Sequence, residues 1–429
     1  MVEPETLGAT LPHIRSALPG PTAGALVDTL ARAESPTFTA RRARRAESSG
    51  APQDPIVWAE ALGANVVDAD GNVFVDLTGG FGVASVGHRH PKVVEAVRTQ
   101  ADTLLHALGD LHPSDVKIRL LDRLAAMAPQ RDARVILSLS GSDAVTTALK
   151  TAALHTGRPG VVAFRGGYHG LDHGPLAACG YSEAFRAPFA AQLNPHVRFA
   201  TYGDATALDA LLDESVGAVI VEPIQGRGGC RVPPPGFLGE VQARTRANGS
   251  LLIVDEIMTG LYRTGVAFAS MDPSAELEGP PDLICLGKGL GGGLPVSACI
   301  GSLAVLESWG GPGQLAIHTG TFFGHPLGAA AALASLDVLE GEKLGERALA
   351  MERRLRTRLG DLPMRGRGLL LGVVPGVPVL PLVRRLLERG FLTIPAGMEA
   401  EVIQLLPALT IDEHLLDAFA DTLLEELGR

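Results

Sequence analysis

Residues 283–302 read LICLGKGLGGGLPVSACIGS. An apolar run ends at a single lysine, Lys288, set among five glycines, and a second apolar run follows. An ammonium buried without a partner is costly, so a lysine directly after a buried strand needs a reason. The glycines mark a backbone that bends sharply or lets a large group approach. Gly287, Gly289 and Gly292 formally satisfy G-x-G-x-x-G, and Glu307 follows at the expected distance. That fingerprint requires a helix directly after the glycines, aimed at a pyrophosphate. Pro295 and the β-favouring residues after it predict a strand, which removes the dinucleotide reading. A Walker A loop fails too, because Gly289 stands where serine or threonine is needed. What remains is a lysine presented on a bent turn.

Similar apolar runs recur upstream: ARVILSL (133–139), PGVVAFR (159–165), HVRFATY (196–202), VGAVIVEPI (216–224) and SLLIVDEI (250–257). Helical stretches separate them, such as SDAVTTALKTAALHT (142–156) and GFLGEVQARTRANG (236–249). Strands apolar on both faces predict an α/β fold, with a largely parallel sheet covered by helices. Ligands of such sheets bind at the carboxyl ends of the strands.

Earlier in the chain, GANVVDADGNVFVDL (63–77) reads as a hairpin around Asp-Gly. The first sixty residues, punctuated by prolines, read as an arm. GAAAALASLDVLEGEKLGERALAMERRLRTRLG (328–360) reads as one long helical stretch. Strand candidates GLLLGVV (368–374) and AEVIQLLP (400–407) follow, then a final amphipathic helix. The expected division is an arm and part of a small domain over 1–75, a large domain over 76–327, and the rest of a smaller α+β domain over 328–429.

A chain of 429 residues exceeds one ordinary core, which agrees with two domains. The formal net charge of −10 argues against a nucleic-acid partner. One basic cluster, TARRARRAES (39–48), reads as a solvated helix face. Cys179, Cys230, Cys285 and Cys299 show no C-x-x-C spacing and suit a reducing cytosol. No window approaches the roughly 18–20 apolar residues of a membrane span. The first residues lack the basic-then-apolar order of a signal peptide. A cytoplasmic location is expected.

Pyridoxal phosphate needs an amine for a Schiff base, a carboxylate against its ring nitrogen, a phosphate cradle and a flat group on the ring face. Lys288 supplies the amine. Asp255 closes the strand SLLIVDEI and suits the ring nitrogen, although a metal ligand or helix cap has the same look. LSLSGSDAV (137–145) is a strand, a tight turn and a helix start, with Ser140 and Asp143 at capping-box spacing. It is either a plain N-cap or an anion site made by Gly141 and Ser142. Tyr168, in FRGGYHG (164–170), is the candidate for the ring face.

The order of these stretches resembles the class III aminotransferases, pyridoxal-phosphate enzymes of fold type I. The match rests on GNVFVDLTGGFGVASVGHRHPKVVEAV (71–97), LSGSDAVTTALKTA (139–152), FRGGYHG, VIVEPIQGRGG (219–229), LLIVDEIMTGLYRTG (251–265), LGKGLGGGLPVSACIG (286–301) and HTGTFFGHPLGAAAAL (318–333). The resemblance implies a large domain with a mostly parallel seven-stranded sheet and a smaller α+β domain from both ends of the chain. It implies that Lys288 carries the cofactor, Asp255 pairs with the pyridine nitrogen, Tyr168 stacks on the ring and Gly141 and Ser142 hold phosphate. Met258 joins that set, with Thr321 from the neighbouring subunit of a homodimer. Glu222 falls on a family position near the site, without an assigned step. His88 and His90 form a family landmark and lack the neighbours a metal would need.

Departures bear on substrate. Many relatives have glutamate at the position of Arg227 and arginine at that of Gln404, a movable pair that binds a carboxylate. Either Arg227 now supplies the carboxylate clamp, or glutamate is not the usual donor. Phe81 is expected at the entrance for the amine side chain. The implied reaction is ping-pong transamination between an amine or amino acid and an oxo acid. Two alternatives accompany it. DEIMTG resembles aminomutases, which points to an isomerase or racemase on the same scaffold, and a catalytically inactive binding protein is the other.

Overall fold

The computed structural model describes residues 7–50, 56–310 and 315–429. Two helices, α1 (Pro21–Ala33) and α2 (Pro36–Ser49), open the chain, each with proline in its first turn. Helix α2 carries the basic cluster, with Arg41, Arg44 and Arg45 exposed and Ala46 buried. Strands β1 (Trp58–Leu62), β2 (Asn65–Asp68) and β3 (Val73–Asp76) follow, and β2 and β3 form the expected antiparallel hairpin. Helices α3 (Pro91–Thr103) and α4 (Asp115–Met127) lead into the main sheet.

That sheet has seven strands: β4 (Ala133–Ser138), β5 (Gly160–Phe164), β6 (Val197–Ala200), β7 (Val216–Val221), β8 (Leu251–Asp255), β9 (Leu283–Leu286) and β10 (Ser297–Ser302). Their order is β4-β10-β9-β8-β7-β5-β6. Pairings from β9 through β6 are parallel, whereas β10 runs antiparallel to both β9 and β4. Every residue of β5, β7, β8 and β9 is buried, as strands covered on both faces require. Helix α5 (Gly141–Thr156) packs Ala144, Val145, Ala148 and Ala152 against one face with Ile253, Leu283 and Cys299. Helix α6 (Phe237–Ala247) covers the other. Residues 287–296, with one helical turn at Lys288–Gly291 and no longer helix, separate β9 from β10, so the glycines lead into a strand as predicted.

The stretch 328–360 departs from expectation. It forms two helices, α7 (Pro326–Gly341) and α8 (Leu344–Leu359), broken where Lys343 takes a left-handed φ of 52°. Beyond them lie β11 (Met364–Arg367), β12 (Leu370–Val373), helix α9 (Val379–Glu388), β13 (Phe391–Leu392), β14 (Ile394–Ala396), β15 (Val402–Leu405) and helix α10 (Glu413–Glu426). Strand β13 pairs in parallel with β3, so the C-terminal segment completes the N-terminal sheet. Strands β11, β12, β15 and β14 make a third, antiparallel sheet. Among the described residues no helix is long and apolar enough to cross a membrane.

Candidate active site

Parallel pairing gathers four turns at one end of the main sheet. Asp255, the last residue of β8, is level with Cys285 of β9, and Lys288 follows just beyond. Glu222 follows β7, and Tyr168 and His169 follow β5 after a glycine turn. These turns enclose a cavity lined by Gly141, Ser142, Tyr168, Arg227, Asp255, Met258 and Lys288, all singled out in the sequence. His169, Gly170, Glu222 and Ile257 complete its wall.

Lys288 stands at φ 41°, a left-handed conformation that a side chain adopts at some cost. Its Nζ pairs with no described residue. Burial lowers its pKa, the carboxylates of Asp255 and Glu222 oppose that, and Arg227 adds to the lowering. The outcome lies below the ordinary lysine value, which enlarges the neutral, nucleophilic fraction of the amine.

Asp255 is buried and held at both oxygens. Its Oδ1 accepts from the Ile257 amide (3.0 Å), and its Oδ2 lies 2.8 Å from His169 Nδ1. Burial pulls the His169 imidazole down, but the bond and charge of Asp255 outweigh it, leaving the pKa raised. Glu222 ties two turns together, accepting from the amides of Tyr168 (2.9 Å) and Gly226 (3.1 Å). Burial pushes its carboxyl up to about 7, with His169 opposing and Asp255 adding.

At the start of α5, the Ser140 hydroxyl accepts from the Asp143 amide (3.1 Å), the N-cap that the spacing predicts. The amides of Gly141 and Ser142 have no acceptor within the helix. Both glycines here are forced by crowding. A Cβ on Gly170 would stand 2.4 Å from Ser142 Oγ, and one on Gly141 would stand 2.8 Å from Ile257 Cδ1. An unpaired lysine amine, an oriented carboxylate, free amides at the start of a 16-residue helix and a tyrosine form a donor set that fits pyridoxal phosphate.

Three residues named from the sequence lie outside this wall. Gln404 is buried behind it, donating from Nε2 to the Gly226 carbonyl (2.8 Å), with Met258 Sδ at 3.8 Å. Phe81 is exposed at φ 65° and borders a separate hollow with Trp58, Leu380 and Val383. Its neighbour Gly82 lies against the Lys288 stem. Thr321 is exposed, beside His106 and Lys117.

The chain matches the family described as Aminotransferase class-III over residues 47–427. It belongs to the class-III aminotransferases. This class-III aminotransferase is 40% identical to an acetylornithine aminotransferase of Mycolicibacterium smegmatis over 379 residues, covering 86% of this chain and 93% of that protein. The ornithine aminotransferase of Toxoplasma gondii has the same fold, with a TM-score of 0.80 at 31% identity, over 94% of this chain and 97% of that one. An amine transaminase of an uncultivated Pseudomonas species, solved with its cofactor bound, gives a TM-score of 0.80 at 29% identity, over 88% and 95% of the two chains. The fold is therefore that of the fold type I pyridoxal-phosphate transferases, the cofactor is pyridoxal 5′-phosphate and the activity is amino-group transfer.

Sequence reasoning passed over His169. Its only local signal is its place beside Tyr168 in FRGGYHG, and its partner Asp255 lies 86 residues away. It also left Glu222 without a task, although both its oxygens bind turns that line the cavity.

Proposed function

We propose that this aminotransferase moves the terminal amine of a diamino acid resembling ornithine to an oxo acid, in two half-reactions at the Lys288 cavity. The names of the relatives in Mycolicibacterium smegmatis and Toxoplasma gondii support that donor class. The observation that carries the reading is an unpaired Lys288 amine, lowered in pKa, in one cavity with an oriented Asp255. Bound pyridoxal phosphate supplies an aldehyde that takes up amines and a ring that withdraws electrons from the carbon losing its proton.

Lys288 would hold that aldehyde through its Nζ and, when free, would take and return the proton at the donor carbon. Asp255, oriented by His169, would keep a proton on the ring nitrogen. Gly141 and Ser142 would hold the phosphate, and Tyr168 and Met258, in the same cavity wall, would hold the ring. Arg227 meets the substrate from the cavity wall, and Gln404 supports Arg227 by holding Gly226.

The working unit in this reading is a homodimer in the cytoplasm. Leu105, Leu108, Leu111, Leu315, Ile317 and Phe322 are exposed on two segments that meet at His106 and Phe322, whose rings are 5.3 Å apart. Covering them with a second copy suits an apolar patch of this kind. Thr321, on the same segment, would then reach the phosphate of the partner's site. All four cysteines are free and buried, which accords with a reducing compartment.

The test is to mix holoenzyme with N-acetylornithine and no oxo acid. Aminotransfer yields one equivalent of oxo product per site, then stops until an oxo acid is added. Lys288→Ala yields none. Continuous conversion of the donor without an acceptor would move the protein to the isomerases.

A further inference from the structure

Arg227 is a half-buried cation in the cavity wall, and no carboxylate among the described residues pairs with it. An unpaired guanidinium there is costly unless something else holds it or a ligand arrives. Tyr181 holds it. The Arg227 Cζ lies 5.4 Å from the centroid of the Tyr181 ring, within cation–π range. The Tyr181 hydroxyl donates to the Gly397 carbonyl (3.0 Å), and the Gly397 amide donates to the Arg227 carbonyl (3.0 Å). These contacts form a closed circuit that fixes Arg227 at both its backbone and its head. The same ring meets Tyr168 edge-on at 6.1 Å and stacks on Phe185. The guanidinium is thereby set at a defined place relative to Tyr168 in the cavity wall.

We propose that Tyr181 is a positioning residue that fixes Arg227 as a permanent receptor for a carboxylate carried by both the amino donor and the oxo acceptor. This rests on the aminotransferase reading of the Lys288 cavity. Amino transfer changes one carbon of each substrate and leaves a remote carboxylate untouched. One fixed, planar, always-charged receptor therefore serves both half-reactions without moving. The substrate class that follows is carboxylate-bearing amines and oxo acids, ahead of simple alkylamines.

The experiment pairs 5-aminopentanoate with pentylamine, equal in carbon chain and differing in the carboxylate. Each is mixed with holoenzyme without an acceptor, and the rate of loss of the lysine–cofactor absorbance is followed against amine concentration, which gives kcat and KM for this half-reaction. The wild type should prefer 5-aminopentanoate in kcat/KM by about 30-fold or more, and Arg227→Gln should reduce that preference to within a few-fold. Tyr181→Leu should raise KM for 5-aminopentanoate about tenfold, with kcat changing by less than about threefold. Competitive inhibition by pentanoate, which cannot react, should weaken in parallel. If Tyr181→Leu does not fold, Tyr181→Phe keeps the ring and loses the Gly397 bond, with an expected KM rise of about two- to fivefold.

Equal bleaching by both amines in the wild type, or an unchanged preference in Arg227→Gln, overturns the proposal while amino transfer stands. A Tyr181 variant that lowers kcat for both amines alike, without raising KM, reduces Tyr181 to scaffolding and also overturns it. If no amine bleaches the wild-type absorbance, the aminotransferase reading itself falls.

Discussion

The Lys288 cavity and segment 77–85, whose Gly82 lies against the Lys288 stem, are built on different terms. On the sheet side, Asp255 ends β8, Glu222 follows β7 directly, and Lys288 stands two residues past β9. Each of these carboxylates is held by amides of adjacent turns. Segment 77–85, beside it, is held by the far end of the chain. The Leu406 amide donates to the Leu77 carbonyl (2.7 Å), and the Leu409 amide donates to the Ser85 carbonyl (2.8 Å). Buried Arg263 joins them, donating to the carbonyls of Leu369 and Pro407 and to Ser85 Oγ. The two carboxylates are thus held by turns of the main sheet, whereas segment 77–85 is held by the C-terminal segment, which also braces the cavity wall through Gln404 and Gly397.

Arg263→Leu should break that contrast most strongly. Burial alone lowers the Arg263 pKa to about 9, so the site tolerates the charge only because three acceptors meet it. Losing the guanidinium leaves those acceptors unmet, at an expected cost of about 3 kcal/mol in chemical denaturation. Cofactor absorbance should persist in the variant while KM for substrate rises. A cost under about 1 kcal/mol would mean the two regions are equally self-supporting.

Glu222→Gln sharpens the sheet side. In the unfolded chain the carboxyl ionises near 4.5, and in the fold near 7, because burial raises it. Between those values the folded state binds more protons, so this group's contribution to stability is complete below 4.5 and is lost as pH rises through 7. Glutamine cannot ionise. The difference in unfolding free energy between the variant and the wild type, both without cofactor and measured by chemical denaturation, should shift in favour of Gln from pH 5 to pH 8, by on the order of 1–2 kcal/mol. A difference that does not vary with pH contradicts the assignment.

The smallest effect separates useful strain from idle strain. Lys288 and Lys343 both sit in the left-handed region, at φ 41° and 52°. Lys343 only joins α7 to α8. Lys343→Gly should stabilise the protein by up to about 1 kcal/mol without changing turnover.

What was legible in the sequence follows the same division. LICLGKGLGGG and FRGGYHG are strand ends followed at once by glycine turns, so Lys288 and Tyr168 could be picked out locally, whereas Glu222 of VEP drew no task from its neighbours. The Asp255–His169 pair joins turns after two non-adjacent strands, and nothing near either residue announces it. Gln404 is 178 residues from the Gly226 carbonyl it holds, so its place behind the wall depended on docking that no window reveals. The break at Lys343 escaped because a left-handed lysine has no compositional sign. Strands β13 and β14, of two and three residues, are too short to show a period.

The most direct measurement is borohydride reduction of the holoenzyme followed by peptide mass mapping, because reduction locks the cofactor to the amine that holds it. The account predicts the added mass on the peptide containing Lys288, and on that peptide alone. Label at Lys117 or Lys150, or none on the Lys288 peptide of a protein that has bound cofactor, would contradict it.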